Sequence, residues 1–159
     1  MNNWFLVKVK YTKHLENGNL KRVTEQYLLE AMSFTDAEAR IYDELGSSIQ
    51  GEFIVGGINI ADIHDVFMTG DCGEYYKCKI SYELLGDDAE NAKALSQNFL
   101  IEASSVIEAY ERLVSFLKEL IKEFTVTAIT KTNIMDIFVF VNDNASEQSM
   151  EEENMEEES

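Results

Sequence analysis

Trp4-Phe5-Leu6-Val7-Lys8-Val9-Lys10-Tyr11 and Tyr75-Tyr76-Lys77-Cys78-Lys79-Ile80-Ser81-Tyr82 align without a gap at an offset of 71 residues. Aromatic and apolar positions largely coincide, and each segment carries two lysines. Self-similarity at a fixed period changes how every other residue is read, so the search works outward from this pair. Val23-Thr24-Glu25-Gln26-Tyr27-Leu28-Leu29-Glu30-Ala31 matches Leu95-Ser96-Gln97-Asn98-Phe99-Leu100-Ile101-Glu102-Ala103 at an offset of 72, and the match runs on to Arg40 and Arg112. Phe53 to Phe67 then matches Phe124 to Phe138 at 71 again, pairing Val55 with Val126, Ile58 with Ile129 and Asp65 with Asp136. The one-residue drift fits a loop insertion. The chain reads as two copies of one unit followed by a tail.

The apolar period changes in the same order in each copy. Residues 4 to 11 alternate as a strand and residues 21 to 30 alternate again after the polar turn Glu16-Asn17-Gly18-Asn19, which predicts a β-hairpin. Thr35-Asp36-Ala37-Glu38 has capping-box form, Ala37, Ile41 and Leu45 share a helical face, and Gly46 is placed to end the helix. The second helix starts near Ser105, with Glu108 three residues on, and is expected to run longer, through Phe116 and Leu120. Short strands are expected near 52 to 60, 63 to 68, 124 to 130 and 134 to 141, with Gly56-Gly57 marking a bulge or turn. The expected fold is therefore α+β: a ββαββ repeat over 1–70, a second over 71–141, and a disordered acidic tail over 142–159. With no proline to stiffen a linker, the two repeats are expected to form one compact body of pseudo-two-fold symmetry.

A chain of 159 residues has room for one ordinary domain or two very small ones. At 45% hydrophobic it can bury a core. Thirteen bases against thirty acids give a net charge of −17, which opposes indiscriminate binding to phosphate or anionic lipid and confines any nucleic-acid site to a local patch. From Asn142 on, eight of the thirty acids fall in a stretch with no base, leaving 22 acids against 13 bases, or −9, in the remainder. Composition of that kind predicts disorder. No run approaches the length of a membrane span, and Met1 opens into Asn2-Asn3-Trp4 without a basic leader, so a cytoplasmic location is expected.

Groups suited to catalysis are few. Cys78 falls on the strand face of Tyr76, Ile80 and Tyr82 and reads as a small buried hydrophobe. Cys72, Cys78, His14 and His64 show neither CxxC nor HxxxH spacing, so no metal site is expected. The repeated carboxylates Glu30/Glu102 and Asp65/Asp136 could pair across a pseudo-dyad as acid and base, but the simpler reading has them capping turns or pairing with Arg40 and Arg112. Neither a P-loop nor a GxGxxG motif is present. No enzymatic activity and no cofactor are expected.

Parity along the strands is more informative, because side chains alternate between faces. Phe5, Val7, Val9 and Tyr11 point to the core, leaving Trp4, Leu6, Lys8 and Lys10 outside. On the next strand Arg22, Thr24 and Gln26 point outward. The second copy places Tyr75, Lys77, Lys79 and Ser81 outside, joined by Ser96 and Asn98. Five cations occupy these positions, and drawing five bases in succession from this mixture of charges happens about one time in a thousand. Lys8, Lys10, Arg22, Lys77 and Lys79 could follow phosphates, Trp4 and Tyr75 could stack on bases, and Gln26 and Asn98 could hydrogen-bond their edges, the requirements of a sequence-tolerant single-strand platform.

The motifs Trp4-Phe5-x-x-Lys8-Val9-Lys10-Tyr11, Val23-Thr24-Glu25-x-Tyr27-Leu28, Ser33-Phe34-Thr35-x-Ala37-Glu38-Ala39-Arg40-Ile41 and Ile134-Met135-Asp136-Ile137-Phe138 resemble a small uncharacterised family from Bacteroidetes genomes and their phages, including crAss-like phages. The resemblance covers about residues 3 to 140. It implies a domain of unknown function, with the phage members associated with single-stranded DNA binding in replication modules, and it carries no catalytic residues. The expectation is a non-enzymatic phage protein that binds single-stranded DNA, with the acidic tail recruiting replication proteins or blocking its own site, and with self-association into a homo-oligomer left open. The alternative is a protein-binding adaptor, such as a counter-defence or host-takeover factor, whose acidic surface meets a basic partner.

Overall fold

The computed structural model of the chain describes residues 2–84 and 93–140, so the acidic stretch from Asn142 lies outside the described residues. Alternating residues build β1 (Asn3–His14), and Gly18, at φ +83°, supplies the left-handed turn into β2 (Leu20–Ala31). The two strands pair antiparallel with Trp4 opposite Glu30 and Lys8 opposite Gln26. Next comes α1 (Phe34–Leu45). Its cap is Ser33 rather than Thr35: the Ser33 hydroxyl accepts the Asp36 amide at 3.0 Å, and the Asp36 carboxylate accepts the Met32 amide at 3.0 Å. Gly46 is right-handed, at φ −59°, and does not stop the helix by a left-handed turn; its amide simply closes onto the Tyr42 carbonyl.

The remaining elements are β3 (Phe53–Ile60), β4 (Asp65–Phe67), β5 (Tyr75–Leu84), β6 (Lys93–Glu102), α2 (Val106–Leu117), β7 (Thr125–Lys131) and β8 (Ile134–Phe138). Ser105 caps α2 by accepting the Glu108 amide at 3.1 Å. The helix is no longer than α1. It ends at Leu117, whose carbonyl takes the amides of both Leu120 and Ile121 and so turns the chain back toward the sheet.

Among the described residues these elements make a mixed α+β fold with two helices and two four-stranded sheets, ordered β3-β1-β2-β8 and β4-β6-β5-β7. Each sheet takes its fourth strand from the other half of the chain, β8 parallel to β2 and β4 parallel to β6. The crossings are short. After β3 the Ala61 amide bonds the Trp4 carbonyl at 2.8 Å and the His64 amide bonds the Asn98 carbonyl at 2.7 Å; after β7 the Thr132 amide bonds the Tyr75 carbonyl at 3.0 Å. Gly56 lies at a bulge where the β1–β3 register shifts between Lys8 and Val9, and a second shift separates Lys79 from Ile80.

Among the described residues three apolar clusters hold the layers together. Phe5, Val7, Val9, Tyr27 and Leu29 pack under Ala37, Ile41 and Leu45 of α1. Tyr76, Cys78, Ile80, Phe99 and Ile101 pack under Ala109, Leu113 and Leu117 of α2. The third joins the sheets through the faces turned away from the helices: Leu28 and Ile137 from one meet Tyr75 and Leu100 from the other, with Trp4, Leu6 and Val66 at the margin. The layers therefore run helix, sheet, sheet, helix. Among the described residues no helix is long and apolar enough to cross a membrane.

Candidate nucleic-acid interface

The parity of β1 and β5 is as expected, but the face it defines has two unlike ends. Register continues the outward row of β2 from Gln26 through Leu28 to Glu30, and that of β6 from Asn98 through Leu100 to Glu102. At this end the face is covered by the opposite sheet. Tyr75 is only 5% exposed, and Trp4 is partly buried against the same cluster. The expectation of two exposed stacking rings is thus corrected: parity places Tyr75 away from α2, and the second sheet, not solvent, lies on that side.

At the other end of each sheet the face is open and polar. Lys8, Lys10, Arg22, Lys77 and Lys79 are all exposed, while Gln26 and Asn98 are half-buried. Among the described residues none of the five cations has a carboxylate oxygen within 4.0 Å; the ion pairs found involve Arg40, Arg112 and Lys131. The Lys10 stem crosses Gly56, where an added Cβ would sit 3.4 Å from Cε. Cross-strand register sets Lys8 beside Gln26, Lys10 beside Thr24 and Lys79 beside Asn98. Asn98 donates from Nδ2 to Asp62 at 3.2 Å, and its Oδ1 is buried without a hydrogen-bond partner. Glu83, exposed at the far end of β5, is an acid that the outward row of Lys77, Lys79 and Ser81 also reaches.

The repeated carboxylates are not paired acids. Asp65 and Asp136 each accept the amide of the following residue, Val66 and Ile137, at 2.8 Å. Glu102 is 2% exposed, and its carboxylate accepts four amides from the loop that joins β4 to β5: Gly70 at 2.9 Å and Thr69 at 3.2 Å on one oxygen, Cys72 at 2.9 Å and Gly73 at 3.1 Å on the other. Gly70 and Gly73, at φ +76° and +67°, supply the left-handed turns that converge these donors. Burial pushes the Glu102 carboxyl up, but the four amides outweigh it and hold it down at about 2. Arg112 closes the loop from outside. It bonds Asp71 at 2.7 Å, Thr69 Oγ1 at 2.9 Å, Glu108 at 2.7 Å and the Glu102 backbone carbonyl at 2.8 Å. Its hydrogen bonds, together with one from Thr69, keep Asp71 well below the usual carboxylate range. Glu30 accepts the Phe140 amide at 3.0 Å, while Arg40 pairs with Asp36 at 3.0 Å and lies 4.0 Å from the Phe140 ring centre.

Asp71, Cys72 and Glu102 bring three potential metal-binding atoms within 4.8 Å of one another. The donor set does not suit a cation, because both Glu102 oxygens are already surrounded by N–H groups. Cys78 lies in the core under α2, where burial pushes its thiol up to about 11, and His64 packs edge-on against Phe99 at 5.4 Å. The four cysteines and histidines weighed as ligands do not come together as a group among the described residues. The Glu102 latch was not foreseen from the sequence; the signal for it is the pair of glycines three apart in Thr69-Gly70-Asp71-Cys72-Gly73.

Fold and site together define a mixed α+β protein whose two sheets each carry exposed cations and in which a carboxylate latches the loop joining β4 to β5 of one sheet. Residues 3–140 match the domain of unknown function DUF4494, and the chain belongs to that family. No curated protein matches the chain.

Proposed function

We propose that this chain is a non-enzymatic single-stranded DNA-binding protein of a phage replication or recombination module, working in the bacterial cytoplasm. One observation carries the reading: five exposed cations, Lys8, Lys10, Arg22, Lys77 and Lys79, stand on the sheet faces turned from the helices, without an ion-pair partner among the described residues, in a chain of net charge −17. In so acidic a protein, exposed cations left without ion-pair partners on both sheets are favoured by an anionic ligand, and screening over about 8 to 10 Å keeps the distant acids from cancelling them. Gln26 and Asn98 supply hydrogen-bonding groups beside Lys8 and Lys79. Tyr75 leaves the contact set because it is buried, and Trp4 contributes at most its exposed edge.

An internal duplication accounts for the way features recur. The Ala61–Trp4 and Thr132–Tyr75 hydrogen bonds, the Ser33 and Ser105 caps, and the Asp65 and Asp136 strand caps all recur at the offsets of the sequence alignment. The acidic stretch from Asn142 acts as a competitor for the cationic face or as a recruiter of basic replication proteins. Fluorescence titration of labelled oligo(dT) tests the reading. Binding that weakens as salt rises supports it, and no binding at low salt refutes it.

The second reading, a protein-binding adaptor, is favoured by one feature: α2 leaves Val106, Ile107 and Tyr110 exposed, Ile107 at 72%. An adaptor would lose its partner on substitution of Ile107 and show no affinity for oligo(dT).

A further inference from the structure

Beside the cluster that joins the two sheets lies an open groove of about 290 Å³, close to the lower end of the roughly 300 to 1,000 Å³ typical of small-molecule sites. Leu6 and Leu28 of one sheet and Leu100 of the other, with Ile134, make its apolar walls. Gln26, Asp62 and Lys77 stand among them as polar groups. An apolar slot with a few converging hydrogen-bonding groups is the usual form of a site for a flat, partly polar molecule.

We propose that this groove seats a nucleobase of the bound strand, an assignment that rests on the single-stranded DNA reading above. Charge identifies the occupant. Lys8 is the direct cross-strand neighbour of Gln26 on one sheet, Lys77 lines the groove from the other, and Lys79 follows two residues along, opposite Asn98. The groove is therefore flanked from both sheets by cations that can hold the phosphates on either side of an inserted base. Asp62 is fixed where it can act as an acceptor: Asn98 Nδ2 bonds it at 3.2 Å, and its loop is pinned at Ala61 and His64. Each of the four DNA bases carries an N–H donor on its pairing edge, which Asp62 can accept, while the Gln26 amide can both donate and accept. The same arrangement explains how the protein could hold bases although Tyr75, the ring the strand pattern offers for stacking, is enclosed between the sheets.

The test compares labelled oligo(dT) with an abasic oligomer of equal length, which presents the same phosphates and no bases, using the full chain. The wild-type protein should bind oligo(dT) about tenfold or more tightly over the abasic strand, the scale of one well-held base. Gln26→Ala and Asp62→Asn should each narrow the ratio of oligo(dT) to abasic affinity severalfold while leaving thermal unfolding unchanged. Equal binding of the two strands by the wild type overturns the base site and leaves backbone binding standing. A gap that neither substitution narrows places the base elsewhere and also overturns the groove. If neither strand binds, the groove proposal and the DNA reading fall together.

Discussion

Glu102 shows how much one side chain can organise. Four amides converge on it from a loop with two left-handed glycines, so its ionised form is bound far better in the folded chain than in the unfolded one. Its carboxyl sits near 2 when folded against an ordinary value of 4.5. A depressed folded value stabilises the fold above the ordinary pKa, and the stabilisation is lost as pH falls through about 4.5 toward 2; at about 1.4 kcal/mol per pH unit it amounts to about 3 kcal/mol. Glu102→Gln should cost about 2 to 4 kcal/mol at neutral pH, since an amide NH₂ would face the loop amides, and should flatten the acid limb of stability. Urea unfolding between pH 7 and pH 2 checks this; an unchanged acid limb in the variant would place the effect elsewhere. Gly73, at φ +67°, makes a second check, because Gly73→Ala should cost about 1 to 2 kcal/mol in the same assay. None of this was legible in the strand pattern. Parity identifies the side of the sheet a carboxylate occupies, but the donors that meet it come from a loop some thirty positions away in sequence.

At the level of elements, helices and hairpins were legible because each is decided locally. Ala37, Ile41 and Leu45 recur at helical spacing and are buried, as are Ala109, Leu113 and Leu117. Leu113→Ala should destabilise by about 2 to 5 kcal/mol, whereas Ile107→Ala, on the exposed side of the same helix, should stay within about 0.5 kcal/mol. Thermal unfolding of the two variants separates the faces. The cap of α1 was displaced by two residues because Ser33 and Thr35 are both acceptable cap residues, and the choice depends on the Asp36–Met32 hydrogen bond. The destination of the short strands was not legible. Asp65–Phe67 and Ile134–Phe138 carry ordinary strand residues, and nothing in their own composition says that each joins the sheet built by the other half of the chain. That exchange also decides the candidate site, since it brings the sheets together over Tyr75 and leaves the lysine end open.

Strand exchange makes the whole molecule one cooperative body. Residues 1–70 alone would leave β2 without β8 and Leu28 uncovered, and residues 71–141 alone would leave β6 without β4 and Leu100 uncovered. Expressed separately, the halves should fail to give folded monomers, and mixing them should restore near-ultraviolet circular dichroism; two independently folded halves would contradict the topology. At the same scale, charge carries the proposed function. Five exposed cations can make about five phosphate contacts, so log K for a single strand should fall with log salt at a slope of up to about 3.5. Removing residues 143–159 takes away eight acids tethered to the same body, which on the proposed reading compete with DNA for those cations, and binding should then tighten most at low salt. The most direct measurement is therefore titration of labelled oligo(dT) with the full chain and with a chain ending at residue 142, each at low and high salt. The account predicts salt-dependent binding by both, tighter for the shorter chain at low salt; an absence of binding by the shorter chain at low salt would contradict it.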